Sequence, residues 1–421
     1  ADPMFTLRKT NTRREDSQLK TIAIIGTFDT KGKEFAFLRD LIREQGLETL
    51  CIHTGAFEPS FEPDVTNEEV AAAVGASMKE IAEKKDRAFA TDTMSRGAEK
   101  LIPELYAQGR FDGIISVGGS GGTSMATPAM RALPIGVPKV MVSTMASGNV
   151  SQYVGTSDIV MIPSVVDAEG LNAISMEIFS NAVNAIVGMV KNKKPRQDSG
   201  RPLLAATMFG VTTPCIKKAE EYLQSKGYEV LVIHATGTGG KTMEALVKGG
   251  FIKGVLDITT TEWCDELFGG VLNAGSERLE AAGACGVPQG VSVGALDMVN
   301  FGPMDTVPAQ YKDRNLYKHN PTVTLMRTTV EENRKLGEVI AEKLNKAKSA
   351  TVLMLPLKGV SAIDGEGQPF YGPEEDKVLF DTLRSNVGSN VELIEMDNNI
   401  NDDEFALAAA KKLIELVEKN G

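Results

Sequence analysis

IAIIGTFDTK, residues 22–31, decides the fold. Its first four positions are all apolar, so a strand formed there must be covered on both faces, as in a parallel sheet flanked by helices. The run then ends in glycine, threonine and charge. The same design returns in GIISVGGSGGT (113–123), KVMVSTMASGN (139–149) and VLVIHATGTGGKT (230–242). A strand followed by such a loop gathers backbone N–H groups at one point, often at a helix N-terminus, where they can hold an anion. The repetition predicts a ligand that carries phosphate or carboxylate.

Outward from these runs, apolar segments bounded by glycine alternate with segments of helical period, the signature of βα units. Strands are predicted at 21–26, 48–53, 113–117, 139–143 and 159–162, and helices at 33–45, 67–84, 93–108, 122–132 and 168–191. The charged stretch KNKKPRQDSGR (191–201) has no apolar period and reads as a linker. The pattern then restarts, with strands at 203–208, 229–234, 254–258, 290–293, 351–355 and 391–395. Helices fit 214–226, 242–249, 330–347, 374–386 and 403–420. The halves look like distant copies: 22–55 matches 203–237, and 137–148 matches 287–302. The expected fold is therefore α/β, two Rossmann-like doubly wound domains with mostly parallel sheets and a cleft between them. Residues 1–20 read as a cloning scar (Ala1-Asp2-Pro3 before Met4) and a flexible arm. The domains are expected at 21–192 and 202–421, joined by a linker at 193–201.

Composition narrows the function. With 421 residues, 42% apolar, the chain can bury a core in each domain. No uninterrupted apolar run approaches membrane-spanning length, and the reading is a cytoplasmic protein without a membrane partner. A net charge of −11 with no Lys/Arg block argues against nucleic acid. The four cysteines show no CxxC spacing, and three histidines give no metal motif. Cys215 sits near a predicted helix start, where a thiolate is favoured, or is simply packed.

Each loop admits a binding and a structural reading. Ala235–Thr242 (ATGTGGKT) departs from the phosphate-binding GxxxxGK[ST] pattern only at its first glycine, and Asp257 on the next strand could supply a magnesium-linked acid. Against this, the loop follows the second strand of its half, not the first. Gly118-Gly119-Ser120-Gly121-Gly122-Thr123 removes Cβ atoms where phosphates would approach, or forms a tight turn without a ligand. Asp29, Thr30 and Lys31 suit ribose, phosphate or magnesium, though Asp29 or Thr30 can equally cap the helix that follows. Arg96, at an expected helix start, can reach a phosphate through two parallel hydrogen bonds or lie solvated. His234, Glu262 and Asp297, at or near strand ends of the second half, are candidates for acid–base work on a substrate.

Taken together, GTFDTK (26–31), GGSGGT (118–123), PIGVPKVMVSTMASG (134–148), YVGTSD (153–158) and HATGTGG (234–240) resemble the ATP-binding family of the tobamovirus-resistance protein. Its bacterial and fungal members form an uncharacterised protein family. The resemblance runs from about Thr21 to the C-terminus. It implies ATP, with or without Mg2+, held mainly by the first domain: Asp29, Thr30, Lys31 and Thr54 lining the nucleotide, Arg96, Gly119, Ser120, Gly121 and Gly122 holding phosphates. It also shifts weight away from Lys241, a position where the family often lacks lysine. The expectation is a self-associating ATP-binding protein that binds a small anionic ligand. It would be an ATP-dependent enzyme acting on a small acid in the interdomain cleft. The alternatives are a non-catalytic, nucleotide-dependent interaction protein and a nucleotide-independent enzyme of sugar-acid or central carbon metabolism.

Overall fold

The computed structural model describes residues 19–197 and 199–421. The expected N-terminal arm lies outside these residues up to position 18, as does Asp198 of the expected linker. The chain divides into two compact units, the first ending at Pro195 and the second beginning at Arg196.

The first unit carries strands β1 (Thr21–Gly26), β2 (Glu48–His53), β3 (Gly113–Gly118), β4 (Lys139–Ser143) and β5 (Val160–Pro163). They form one parallel sheet in the order β2-β1-β3-β4-β5. Alternation within the apolar runs explains why every position is apolar. Ile22 and Ile24 pack with Phe35, Leu38 and Ile42 of α1 (Gly32–Glu44) and with Phe179 and Val183 of a long helix at 173–191. Ala23 and Ile25 face the other way, onto α2 (Asn67–Ala72), α3 (Met78–Lys84), α4 (Arg87–Ala107) and α5 (Ser120–Ala132). Each such Ile buried is worth about 1.5–3 kcal/mol. Beyond the short α6 (Ser151–Val154), the long helix α7 (Ala173–Lys191) is, among the described residues, the one long and apolar enough to cross a membrane. Here its apolar face is core.

Two of the boundaries that differ from expectation have a clear local cause. The predicted helix at 67–84 is two helices, broken where Gly75 takes φ +72 and Ser77 caps α3 through the Glu80 N–H. The helix expected from Thr93 starts at Arg87, because the Asp86 carboxylate accepts from Ala88 N and Phe89 N.

The second unit repeats the plan. Strands β6 (Leu203–Met208), β7 (Glu229–His234), β8 (Gly254–Thr259) and β9 (Gln289–Gly294) alternate with α8 (Thr213–Ser225), α9 (Thr238–Lys248), α10 (Glu262–Phe268) and α11 (Ala281–Ala284). An antiparallel sheet of β10 (Met298–Phe301), β11 (Leu316–Asn320) and β12 (Val323–Arg327) follows, which the sequence reading did not foresee. The chain then continues through α12 (Val330–Asn345), β13 (Thr351–Pro356), α13 (Pro373–Asn386), β14 (Val391–Met396) and α14 (Asp403–Asn420). The parallel sheet runs β7-β6-β8-β9-β13-β14. In both sheets the first strand lies between the second and the third. The suspected copies 22–55 and 203–237 hold equivalent positions, and β4 and β9 are each fourth in their unit. The fold is α/β, with two mostly parallel, doubly wound sheets.

Candidate functional site

In an open parallel sheet the connections leave in opposite directions on either side of one point, and ligands bind beyond the strand carboxyl ends there. In the first unit that point lies between β1 and β3. Two of the glycine-rich loops of the sequence reading leave from those two strands.

After β3, Gly119 caps α5 with no side-chain hydrogen bond, and the first turn of α5 holds no acidic residue. The N–H groups of Ser120, Gly121 and Gly122 donate to no other described residue. The first N–H groups of any helix lack intrahelical partners and need a cap, water or a ligand. Ser120 and Gly121 are exposed, and a Cβ on Gly121 would meet nothing within 4 Å. The turn is braced from behind: Thr123 Oγ1 donates to Gly119 O at 2.6 Å and lies 2.6 Å from Ser143 Oγ of β4.

After β1, Lys31 N donates to Thr27 O, closing the turn, and Lys31 caps α1 without a side-chain bond. Thr30 is exposed with its hydroxyl 2.7 Å from Thr27 Oγ1. The Lys31 ammonium pairs with no other described residue. Asp29 is committed elsewhere: Oδ1 accepts from Thr30 N and Oδ2 from Phe57 N, and a Cβ on Gly55 would lie 2.1 Å from Oδ1. It is a clamp on the loop after β2, and neither Asp29 nor Thr30 caps α1. Thr54 joins this edge through its N–H to Gly26 O, and its buried hydroxyl has no partner among the described residues.

Arg96 is not at a helix start. It lies nine residues into α4, half exposed, with Nε 2.9 Å from Asp92 Oδ2. The next residue back, Ser95, donates to Met125 O of α5, so this part of α4 packs beside the second turn of α5. An open groove of about 600 Å3 lined by Arg87, Thr91, Asp92, Ser95 and Ser124 lies there.

The second unit treats its glycine turn differently. Glu262 is fully buried, and its Oε2 accepts from Gly237 N at 2.7 Å and Gly240 N at 3.0 Å. The N–H groups that would cradle a phosphate thus hold a carboxylate of the same chain. A Cβ on Gly240 would lie 2.3 Å from Glu262 Oε1. Arg278, itself buried, seals the arrangement from behind. Its Nε donates to Glu262 Oε1 at 2.8 Å, and its two terminal nitrogens bind Asp257 at 2.5 and 2.7 Å. Burial alone would pull the guanidinium pKa down; Asp257, then Glu262 and Glu244, outweigh it and hold it above its ordinary value. Asp257 is therefore an internal ion-pair partner and not a magnesium-linked acid. Glu262 likewise corrects its sequence reading, being an internal anion and not a group facing substrate. Arg278 escaped sequence reading because nothing in SER (276–278) sets it apart from a surface arginine.

Asp297 is also sealed. Its Oδ2 accepts from Ser361 Oγ at 2.6 Å, Oδ1 is buried without a partner, and burial pushes its pKa up to about 6 against the opposing charge of Arg327. His234 alone of the three acid–base candidates is exposed. Cys215 is packed in the core, where burial pushes its thiol up to about 12.

Comparison with known proteins fits this division. Residues 20–195 match the N-terminal domain, and residues 201–417 the C-terminal domain, of "Uncharacterised protein family (UPF0261)". A UPF0261 protein of Clostridium tetani is 58% identical over 95% of this chain and all of its own length. Two tomato proteins, "ToMV susceptible protein tm-1(GCR26)" and "ToMV resistance protein Tm-1(GCR237)", are each 42% identical over 94% of this chain, which spans 56% of their length. By both domain matches and by these identities, the chain belongs to the UPF0261 family.

Proposed function

We propose that the first unit binds ATP at the carboxyl ends of β1 and β3. The observation that carries this reading is the unfilled turn at Ser120–Gly122, set against a second turn whose N–H groups are taken by Glu262. Backbone donors at the start of α5 suit phosphate oxygens, and the helix dipole adds to them. Lys31, on the adjacent loop and without a partner among the described residues, supplies a compensating charge; Thr30 offers a hydroxyl beside it. Arg96 can add a second cation by exchanging Asp92 for phosphate, since that exposed pair is worth under about 1 kcal/mol. ATP in place of a simpler anion follows from the resemblance in the loops. Among the described residues no group of three or more His, Cys, Asp or Glu side chains is placed to hold a metal, so magnesium would arrive with the phosphates.

ATP then serves either a reaction on a small acid or a change in a binding partner. The sealing of Glu262 and Asp297 favours the second reading, because it removes two of the three side chains proposed for chemistry. Four free cysteines, one of them exposed, suit the cytoplasm we assign to it. The decisive experiment is calorimetric titration of ATP, with and without magnesium, into the protein and into Gly121→Asp. Binding lost in the variant supports the site, and phosphate release with added small acids then separates enzyme from sensor. Absence of binding by the unaltered protein ends the nucleotide reading and turns attention to phosphorylated or carboxylated metabolites.

A further inference from the structure

Phe57 is the most exposed large apolar side chain described, at 74%, yet its backbone is held from both sides. Its N–H donates to Asp29 Oδ2 at 3.0 Å, and its carbonyl accepts from His53 Nε2 at 2.8 Å. His53 is itself fixed. It is fully buried, its Nδ1 accepts from Phe28 N at 3.2 Å, and this places the ring proton on Nε2, facing Phe57. An aromatic layer lies beneath: Phe28 stacks on His53 with centroids 5.5 Å apart and on Phe61 at 4.6 Å. Arg39 covers Phe61 in turn.

Ordering a loop costs about 1–2 kcal/mol per residue. A buried histidine and a carboxylate are here spent on fixing the backbone of one residue whose ring stays in water. With three quarters of its surface in water, that ring can contribute little to the core. With its backbone held at both ends, Phe57 presents an aromatic ring to solvent from a defined point, so part of the ordering cost of a stacking surface is already met.

Its place in the sheet says what it would stack. Phe57 follows β2 and the open glycine turn follows β3, on either side of β1. Neighbouring strands lie about 4.8 Å apart, so these two strand ends are separated by about 10 Å, within the span of a nucleoside triphosphate. We infer that Phe57 is the plate on which the base of the bound nucleotide stacks, with Asp29 and His53 as its positioning residues. This deepens the ATP reading and rests on it. It also gives Asp29 a role different from the direct contact implied by resemblance: it orients the residue that touches the base.

The test compares ATP with inorganic tripolyphosphate, which has the phosphates and no base. In Phe57→Ala, ATP affinity is expected to fall about tenfold or more, the scale of one lost base–aromatic contact, with tripolyphosphate affinity unchanged. Phe57→Trp is expected to bind ATP at least as tightly as the unaltered protein. Its new indole fluorescence should be quenched by ATP and not by tripolyphosphate; the single native tryptophan, Trp263, is buried in the second unit. The inference is overturned if Phe57→Ala binds ATP normally, or loses both ligands equally, which would mark a structural role. It also fails if the unaltered protein binds tripolyphosphate as tightly as ATP, an outcome that leaves the anion site standing. If the unaltered protein binds neither ligand, the ATP reading itself fails, and the stacking plate with it.

Discussion

The turns at 118–122 and 235–240 share a strand–glycine–helix plan and differ in what faces their N–H groups. In the second unit Glu262 sits there, buried and paired with Arg278. In the first, no side chain of the described residues does. Loop composition does not distinguish them, and the second is the nearer match to a phosphate-binding pattern. The difference teaches that a glycine turn creates a demand for negative charge, which the chain either meets itself or leaves to a ligand.

The largest effect expected from breaking this contrast is at Glu262. Glu262→Ala leaves two backbone N–H groups and the Nε of Arg278 without their acceptor, although Asp257 still pairs the guanidinium, and should cost about 3–5 kcal/mol, read by denaturant unfolding of the second unit. Added acetate or phosphate should recover part of that loss by entering the emptied turn, and should do nothing comparable for the unaltered protein. No anion-dependent recovery in a folded variant would mean that the turn cannot act as an anion site at all. The converse change installs a carboxylate in the first turn. Gly121→Asp should reduce ATP affinity at least tenfold while leaving the unfolding midpoint nearly unchanged, because its Cβ meets open space and an acidic residue suits a helix start.

A smaller, purely steric comparison uses alanine in both turns. Gly240→Ala pushes a methyl group against Glu262 and should destabilise by about 1–3 kcal/mol. Gly121→Ala should be neutral or stabilise by up to about 1 kcal/mol, since it removes unfolded-state freedom without a clash. Equal costs at the two positions would show that the first turn is as filled as the second.

How far the sequence exposed these features follows from what each one depends on. The parallel strands were legible because burial on both faces demands apolar side chains at every position, as in Ile22–Ile25. The site loops were legible because glycine and hydroxyl residues cluster after those strands. Arg96 was misplaced because Asp86 and its cap bonds, ten residues upstream, outrank the helical period that begins near Thr93. The β10–β12 sheet was obscured by the turns at Met304–Thr306 and Ala309–Tyr311, opened by Pro303 and Pro308, which interrupt the alternation. Glu262 was the hardest case. An acidic residue after TTT reads as a helix start, and only tertiary contact with Gly237, Gly240 and Arg278, residues 16 to 25 positions away, reveals its role.

The last expected effect is on acid–base behaviour, and it too separates the units. Burial raises Asp297 to about 6 and Asp265 to about 7, and it raises Asp364 as well; all three lie in the second unit. Arg327 opposes the shift at Asp297 and Asp364, bonding Asp364 at 2.9 Å and Asp376 at 2.8 Å. A carboxyl whose pKa is higher folded than unfolded holds its proton more tightly in the native state. Its contribution is therefore fully present below about pH 4 and is lost as pH rises through the folded value. The second unit should accordingly lose stability between about pH 4 and 7 as Asp297 and Asp265 ionise, and further above that range for Asp364, by at most about 1.4 kcal/mol per pH unit for each group. Asp297→Asn keeps an acceptor for Ser361 and removes one ionisation. It should flatten the slope between about pH 4 and 6, and leave ATP binding by the first unit untouched. An unchanged slope would mean that Asp297 is already ionised in that range and that Arg327, with its charge, outweighs burial.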